Sequence, residues 1–143
     1  KHAKKVLLHH KFAKNIISIE GSSVEKKTLE KILKLKKKYK KILVCLDSNH
    51  VHSHVIQELN LYSKLVSKNS YIVVFDSTSG TFDKKNMKKI SQNYNYKPFS
   101  IRSNPLTAIK EFSKKNKNFI IDDTYHNKGL ITNCYKGFLK RVK

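Results

Sequence analysis

The sequence is poor in glycine, proline and acidic residues, and it contains no tryptophan. Its four glycines are Gly21, Gly80, Gly129 and Gly137, and they form neither a GxGxxG turn nor a GxxxxGK[ST] phosphate loop. No GxSxG elbow and no Cys–His nucleophile pattern occurs either. Within these residues, the absences exclude nucleotide binding through a glycine-rich turn and catalysis by an elbow serine.

Cysteine and long apolar runs are also scarce. Cys45 and Cys134 are the only cysteines, they lie far apart, and no CxxC spacing is present. We expect both to be reduced thiols, with Cys45 buried inside an apolar run. No apolar run approaches the ~20 residues that cross a bilayer, and the first residues show no signal-peptide pattern. The sequence therefore predicts a cytoplasmic protein without a membrane span.

Negative charge is the third scarcity, because 31 Lys and Arg stand against 10 Asp and Glu for a formal net charge of +21. Such a chain suits nucleic acid, an anionic membrane surface or acidic small substrates. Arg102 and Arg141 are the only arginines, and lysine is the poorer residue for bidentate contact with bases or phosphates. A lysine-rich module that binds nucleic acid or another polyanion without catalysis is one hypothesis, which the absence of RNP-type and helix-turn-helix patterns disfavours. An enzyme is the other.

Apolar runs of strand length alternate with stretches of helical spacing in the order β-α-β-α-β-loop-α-β-β. Strands are predicted over residues 16–20, 41–47, 71–76, 119–122, 130–132 and 137–142, and helices over 24–35, 49–66 and 105–115. Asn104 and Pro105 suit the start of the last helix. Residues 41–47 are apolar on both faces, as in the interior of a parallel sheet. Residues 77–104 lack a regular pattern, and residues 93–99 within them are polar and dotted with aromatic side chains.

This order predicts one α/β domain over residues 1–143, with a mostly parallel sheet and an antiparallel closing strand. Three predicted strands end in an acid followed by small polar residues, namely Glu20, Asp47 and Asp76. Ligands of open parallel sheets bind beyond the carboxyl ends of the strands, so we expect the three carboxylates to meet at one edge. Capping of loops and helix ends is the alternative role for each acid.

A cluster of carboxylates calls for a cation, since like charges in one place repel each other. A divalent ion of the Mg²⁺ type held by Asp47 and Asp76 is the natural partner. His50 is predicted as a further ligand or as a general base. His52 and His54 are close in sequence, but no HExxH arrangement or neighbouring cysteine favours zinc. We expect one of the three histidines to serve the site and the others to be solvated.

Several separated blocks resemble the cephalosporin hydroxylase / rhamnosyl O-methyltransferase family. They are IEGSS at 19–23, VCLDSNH at 44–50, HVIQELNLY at 54–62 and LVSKNSYIVVFD at 65–76. The segment NPLTAIKEF at 104–112 and the residues 131–142 are similar to the closing helix and strand of that family. The resemblance runs from about residue 13 to the end of the chain, with the blocks in the same order.

The resemblance implies a Rossmann-like methyltransferase fold that uses S-adenosylmethionine, with a divalent metal in some members. By this analogy Glu20, Gly21 and Ser22 lie near the adenine end of the cofactor. Asp47 is then the metal-binding or catalytic acid after the fourth strand, and Asp76 is its partner after the fifth. Some members carry an acidic pair at the end of the fifth strand. Phe75 occupies the first of those positions here, which leaves the metal one ligand poorer.

The resemblance also implies that the strands of the cofactor loop are missing from the front of this chain. Members have an N-terminal portion with a glycine-rich first turn and an acid after the second strand, both of which hold S-adenosylmethionine. In their strand order 3-2-1-4-5-7-6, two absent strands would separate residues 16–20 from residues 41–47. We therefore expect a partial domain, the C-terminal part of an O-methyltransferase for a sugar or small-metabolite hydroxyl. Alone it would be inactive and poorly stable, with an open edge at the fourth strand.

Overall fold

A four-stranded sheet organises the residues that the computed structural model describes, which are 2–92, 100–129 and 131–143. Its strands are β1 (Val44–Leu46), β2 (Tyr71–Val74), β3 (Phe119–Ile121) and β4 (Phe138–Arg141). Their spatial order is β1-β2-β4-β3. Strands β1 and β2 are parallel, whereas β4 is antiparallel to both β2 and β3. The prediction of an α/β fold with an antiparallel closing strand is confirmed.

Helices cover and connect the strands: α1 (His2–His9), α2 (Lys26–Lys36), α3 (His52–Tyr62), α4 (Lys84–Gln92), α5 (Pro105–Lys115) and α6 (Asp123–Lys128). Helix α5 has the predicted bounds, because the Asn104 side chain accepts a hydrogen bond from the Thr107 amide and Pro105 follows it. Among the described residues, no helix is long and apolar enough to cross a membrane.

The core lies where α3 and α5 pack together and against the sheet. Helix α3 contributes Val55 and Leu59, spaced four residues apart on one face, and α5 contributes Ile109 and Phe112. All four side chains are buried, as is Ile72 at the centre of β2. This packing fixes α3 directly after β1, and it therefore sets where the loop between them lies.

Residues 16–20 do not form the predicted strand. They follow a 3₁₀ turn at Ala13–Asn15 and continue without regular structure, with Ile16 and Ile17 exposed. β-Branched residues favour a strand only where a neighbouring strand accepts their backbone hydrogen bonds. No strand of the described sheet pairs with this segment, so the prediction is wrong for this structure.

Strand β1 is shorter than predicted and lies at an edge of the described sheet instead of in its interior. Its only strand partner among the described residues is β2, so the other edge is open, as expected for this strand. Leu43 and Cys45 are exposed. The expectation of a buried Cys45 is therefore wrong, because burial on both faces requires elements that do not cover β1 here.

Two connections are more regular than predicted. A 3₁₀ turn at Ser77–Thr81 and helix α4 occupy the stretch expected to be irregular, and Met87 of α4 is buried. Helix α6 lies between β3 and β4, where a closing hairpin with a strand at 130–132 was expected. Ile131 and Thr132 are not part of a strand. Residues 93–99 and Leu130 are outside the described residues.

Candidate functional site

The carboxyl ends of β1 and β2 bring Asp47, His50 and Asp76 together. One potential ligand atom from each residue lies within 4.8 Å of the others. The two strands are adjacent and parallel, with Leu46 opposite Val74. Asp47 directly follows β1 and Asp76 follows β2 after one residue, so both acids emerge at the same edge of the sheet.

His50 lies between the two carboxylates. Its Nε2 atom is 3.4 Å from Asp47 Oδ1, and its Nδ1 atom is 3.2 Å from Asp76 Oδ2. Nε2 is buried and has no hydrogen-bond partner. Buried polar atoms are nearly always paired, so this nitrogen has capacity left for a proton or a cation. The Asp47 side chain is 62% exposed and that of His50 is 19% exposed, so the cluster opens to solvent beside Asp47.

The backbone holds Asp76 in an unusual conformation. Its φ of 53° is in the left-handed region, which non-glycine residues rarely adopt. The Asp76 carbonyl accepts a hydrogen bond from the Ser79 amide, and the buried Ser77 and Ser79 begin the 3₁₀ turn behind it. Strain of this kind persists where the surrounding structure enforces it. The direction of the Asp76 carboxylate is therefore set by the fold.

The two cysteines remain protonated near this cluster. Burial and the negative charge of Asp76 raise the pKa of Cys134 to about 11. Partial desolvation and the charge of Asp47 raise the pKa of Cys45. Since the thiolate is the form that attacks carbon or binds metal, neither cysteine is activated for those tasks. The donors that remain are carboxylate oxygens and an imidazole, a set that suits a hard divalent cation.

Glu20, Gly21 and Ser22 lie apart from this cluster. All three are exposed, and Glu20 does not join the group formed by Asp47 and Asp76. The expectation that three carboxylates meet at one edge is therefore wrong for Glu20, because residues 16–20 are not a strand of the described sheet. Gly21 has a φ of 142°, which favours glycine, and a Cβ there would overlap Thr28 Oγ1. A cofactor-binding role for this segment stays a prediction.

The three neighbouring histidines have different partners. Only His50 joins the acidic cluster. His52 contacts Thr107 Oγ1 through Nδ1 at 2.8 Å and Glu111 Oε2 through Nε2 at 2.9 Å, which ties α3 to α5. His54 Nε2 is 3.0 Å from Ser23 Oγ. The expectation that the other two histidines are solvated is wrong, since both are partly buried and hydrogen-bonded.

A buried acid at the site escaped the sequence analysis. Glu58 of α3 accepts a hydrogen bond from Ser48 Oγ at 2.8 Å, and Ser48 directly follows Asp47. The available signal was its position, because Glu58 lies four residues after His54 and next to the core residue Leu59. An acid beside the apolar stripe of a helix is rarely buried unless it is paired.

A mixed α/β sheet with acids and a histidine beyond the ends of its parallel strands has the arrangement of an α/β protein that binds a ligand at that edge. The family model described as Rhamnosyl O-methyltransferase/CmcI matches residues 1–142, and the chain belongs to this family. The resemblance seen in the sequence is thereby confirmed.

The chain is similar to curated proteins named rhamnosyl O-methyltransferase from Mycobacterium bovis and Mycobacterium tuberculosis. Each is 39% identical to it over 64 residues, which are 44% of this chain and 26% of the relative. The match thus spans about a quarter of the length of these relatives. No solved structure matches the chain significantly.

Proposed function

We propose that this chain is the C-terminal part of an S-adenosylmethionine-dependent O-methyltransferase that acts on a hydroxyl group of a sugar or small metabolite. The observation that carries the proposal is the meeting of Asp47, His50 and Asp76 at the carboxyl ends of adjacent parallel strands. Membership of the Rhamnosyl O-methyltransferase/CmcI family supplies the reaction class. The names of the curated relatives favour a sugar hydroxyl as the acceptor.

The strand order supports a methyltransferase fold. The described order β1-β2-β4-β3, with β4 antiparallel to both neighbours, corresponds to the second half, 4-5-7-6, of the order 3-2-1-4-5-7-6. In that correspondence β1 is the fourth strand, whose free edge faces the position of the first. The methyl donor would then lie across the carboxyl ends of the strands, next to the cluster.

Asp47 and Asp76 would hold a divalent cation of the Mg²⁺ type. Such ions are bound through one or two carboxylates, with water and substrate oxygens completing the coordination, so two acids suffice without one at Phe75. The partly exposed Asp47 leaves the open side that a substrate oxygen needs. When bound, the cation would lower the pKa of the acceptor hydroxyl and S-adenosylmethionine would supply the methyl group.

His50 would act as the general base. Its Nε2 atom has no hydrogen-bond partner and is available to take the hydroxyl proton as the oxygen attacks the methyl group. Asp76 lies 3.2 Å from the opposite nitrogen, Nδ1, and orients the ring. Glu20, Gly21 and Ser22 would contact the adenine end of the cofactor from their exposed loop.

The proposal is tested by Asp47→Asn in the full-length protein. We expect turnover to fall more than about a hundredfold, because the neutral amide is a far weaker cation ligand, while the fold is kept. The assay follows labelled methyl transfer from S-adenosylmethionine to a panel of monosaccharides and aryl glycosides, with and without Mg²⁺. Asp83→Asn is the matched control, since Asp83 is an exposed acid at the start of α4. An unchanged rate in Asp47→Asn would refute the assignment.

A further inference from the structure

Glu58 is an acid in the protein interior. It is 2% exposed, it lies on α3 beside the core residues Val55 and Leu59, and its Oε2 atom is buried without a hydrogen-bond partner. Burial of a carboxylate is unfavourable unless its hydrogen bonds compensate for lost water, and an apolar side chain of similar size is often more stable there. The contacts of Glu58 therefore call for a role other than stability.

One contact of Glu58 reaches the cluster. Its Oε1 atom accepts the hydrogen bond from Ser48 Oγ at 2.8 Å. Ser48 is the residue directly after Asp47, and its side chain otherwise lies on an exposed loop. The bond thus fixes the backbone that carries the cluster acid to a helix held in the core.

A second set of contacts reaches the loop predicted to bind the cofactor. His54, one helical turn before Glu58, has its Nε2 atom 3.6 Å from Glu58 Oε1 and 3.0 Å from Ser23 Oγ. Tyr62, one turn after Glu58, donates its hydroxyl to the Ser23 carbonyl at 2.7 Å. Burial and the charge of Glu58 raise the pKa of Tyr62, which keeps this hydroxyl a donor.

These residues do not form a nucleophilic triad, although serine, histidine and glutamate are adjacent. In a triad the serine and the acid contact opposite nitrogens of the imidazole. Here Ser23 Oγ and Glu58 Oε1 both approach the same atom, His54 Nε2. The ring cannot relay a proton from one to the other, so the geometry excludes serine activation and leaves a structural coupling.

We propose that Glu58 is a positioning residue that joins the two halves of the site. Through Ser48 it holds Asp47 in place, and through His54 and Ser23 it holds the segment Glu20–Ser22. The ligands of the two halves rest on the proposed function, whereas the coupling between them is a property of these contacts alone.

The test replaces Glu58 by methionine in the full-length protein. Glu58→Met keeps the buried volume and removes both arms of the contact, so global stability is retained or raised while the two loops are released. Hydrogen exchange read by mass spectrometry should accelerate about fivefold in residues 20–23 and 47–50, as expected for the loss of one hydrogen bond. Ser48→Ala should release only the second loop, and Ser23→Ala only the first.

Ligand titrations provide a second readout. Ser23→Ala should weaken S-adenosylmethionine binding about fivefold with an unchanged Mg²⁺ requirement, Ser48→Ala should show the reverse, and Glu58→Met should show both. Ser113→Ala is the matched control, because the Ser113 hydroxyl on α5 has no hydrogen-bond partner and is outside the site.

Wild-type exchange rates in both loops of Glu58→Met would overturn the inference, as would identical profiles for the two serine variants. If the wild-type protein binds no S-adenosylmethionine, the proposed function fails, and the exchange experiment still decides the coupling.

Discussion

The two parallel strands that carry the site differ sharply in their surroundings. Ile72 and Val74 of β2 are 0% and 1% exposed, enclosed by strands on both sides and by helices α3 and α5. Leu43, just before β1, is 55% exposed, and Ile17 of the preceding segment is 56% exposed. Yet both strands lie in apolar runs that are followed by an acid.

This difference shows that an apolar run defines a strand but not its burial. Burial depends on which elements lie beside it, and within the described residues β1 has a strand neighbour on one side only. The cluster lies across the boundary, because Asp76 comes from the well-packed side and Asp47 from the exposed side. Side chains such as Ser48 and Glu58 therefore have to supply for Asp47 the restraint that packing supplies for Asp76.

The comparison predicts very different costs for the same substitution on its two sides. Leu59→Ala should lower the free energy of unfolding by about 2–5 kcal/mol, since Leu59 is fully buried and a cavity would remain. Leu43→Ala should change it by less than about 0.5 kcal/mol, as for other exposed positions. Urea denaturation of both variants gives the two values. A loss at Leu43 as large as at Leu59 would show that β1 is covered in the protein and would remove the contrast.

The well-packed side of the fold was the more predictable one. The bounds of α5 follow from Asn104 and Pro105, whose capping chemistry is local. β2 and the antiparallel β4 follow from apolar runs whose partners are within the chain. The failures, residues 16–20 and the burial of Cys45, concern segments whose neighbours a periodicity argument has to assume.

The candidate site divides in the same way. Asp47 and Asp76 were predictable because the ends of adjacent parallel strands must meet at one edge. Glu58 was not, since a lone glutamate within a helix pattern gives no sign of whether it faces water or the core. The left-handed backbone at Asp76 also gave no signal, because the residue is not glycine or asparagine.

A smaller effect is expected at the glycine that supports the Asp76 turn. Gly137 accepts a hydrogen bond from the Val74 amide, and a Cβ there would collide with the Val74 carbonyl and lie 2.9 Å from Ser77 Oγ. Gly137→Ala should therefore lower the free energy of unfolding by about 1–3 kcal/mol. Gly129→Ala is the control, with an ordinary φ of −99° and only the Ile131 carbonyl, at 3.2 Å, near its Cβ. Equal stabilities of the two variants would contradict the tight packing assigned to this side.

The smallest expected effect is a pH dependence on the packed side. Asp122 accepts hydrogen bonds from the Thr124 amide at 3.0 Å and the Tyr71 hydroxyl at 2.7 Å, a contact that ties β2 to the end of β3. These bonds, that of Thr124 first, lower the pKa of Asp122 to about 2. A carboxyl whose pKa is lower in the folded protein stabilises it above the unfolded pKa, and this contribution is lost as the pH falls from about 4 to about 2.

Asp122→Asn should accordingly remove part of the acid sensitivity of the protein. Urea midpoints measured at about pH 7, pH 4 and pH 2 should fall less in the variant than in the wild type, because the amide has no proton to gain. Tyr71→Phe should give a partial effect, since the bond from Thr124 remains. Asp123→Asn is the control, as this adjacent and exposed acid lacks both bonds. If Asp122→Asn and Asp123→Asn had the same acid profile, the tie between β2 and β3 would not contribute to the greater order of that side.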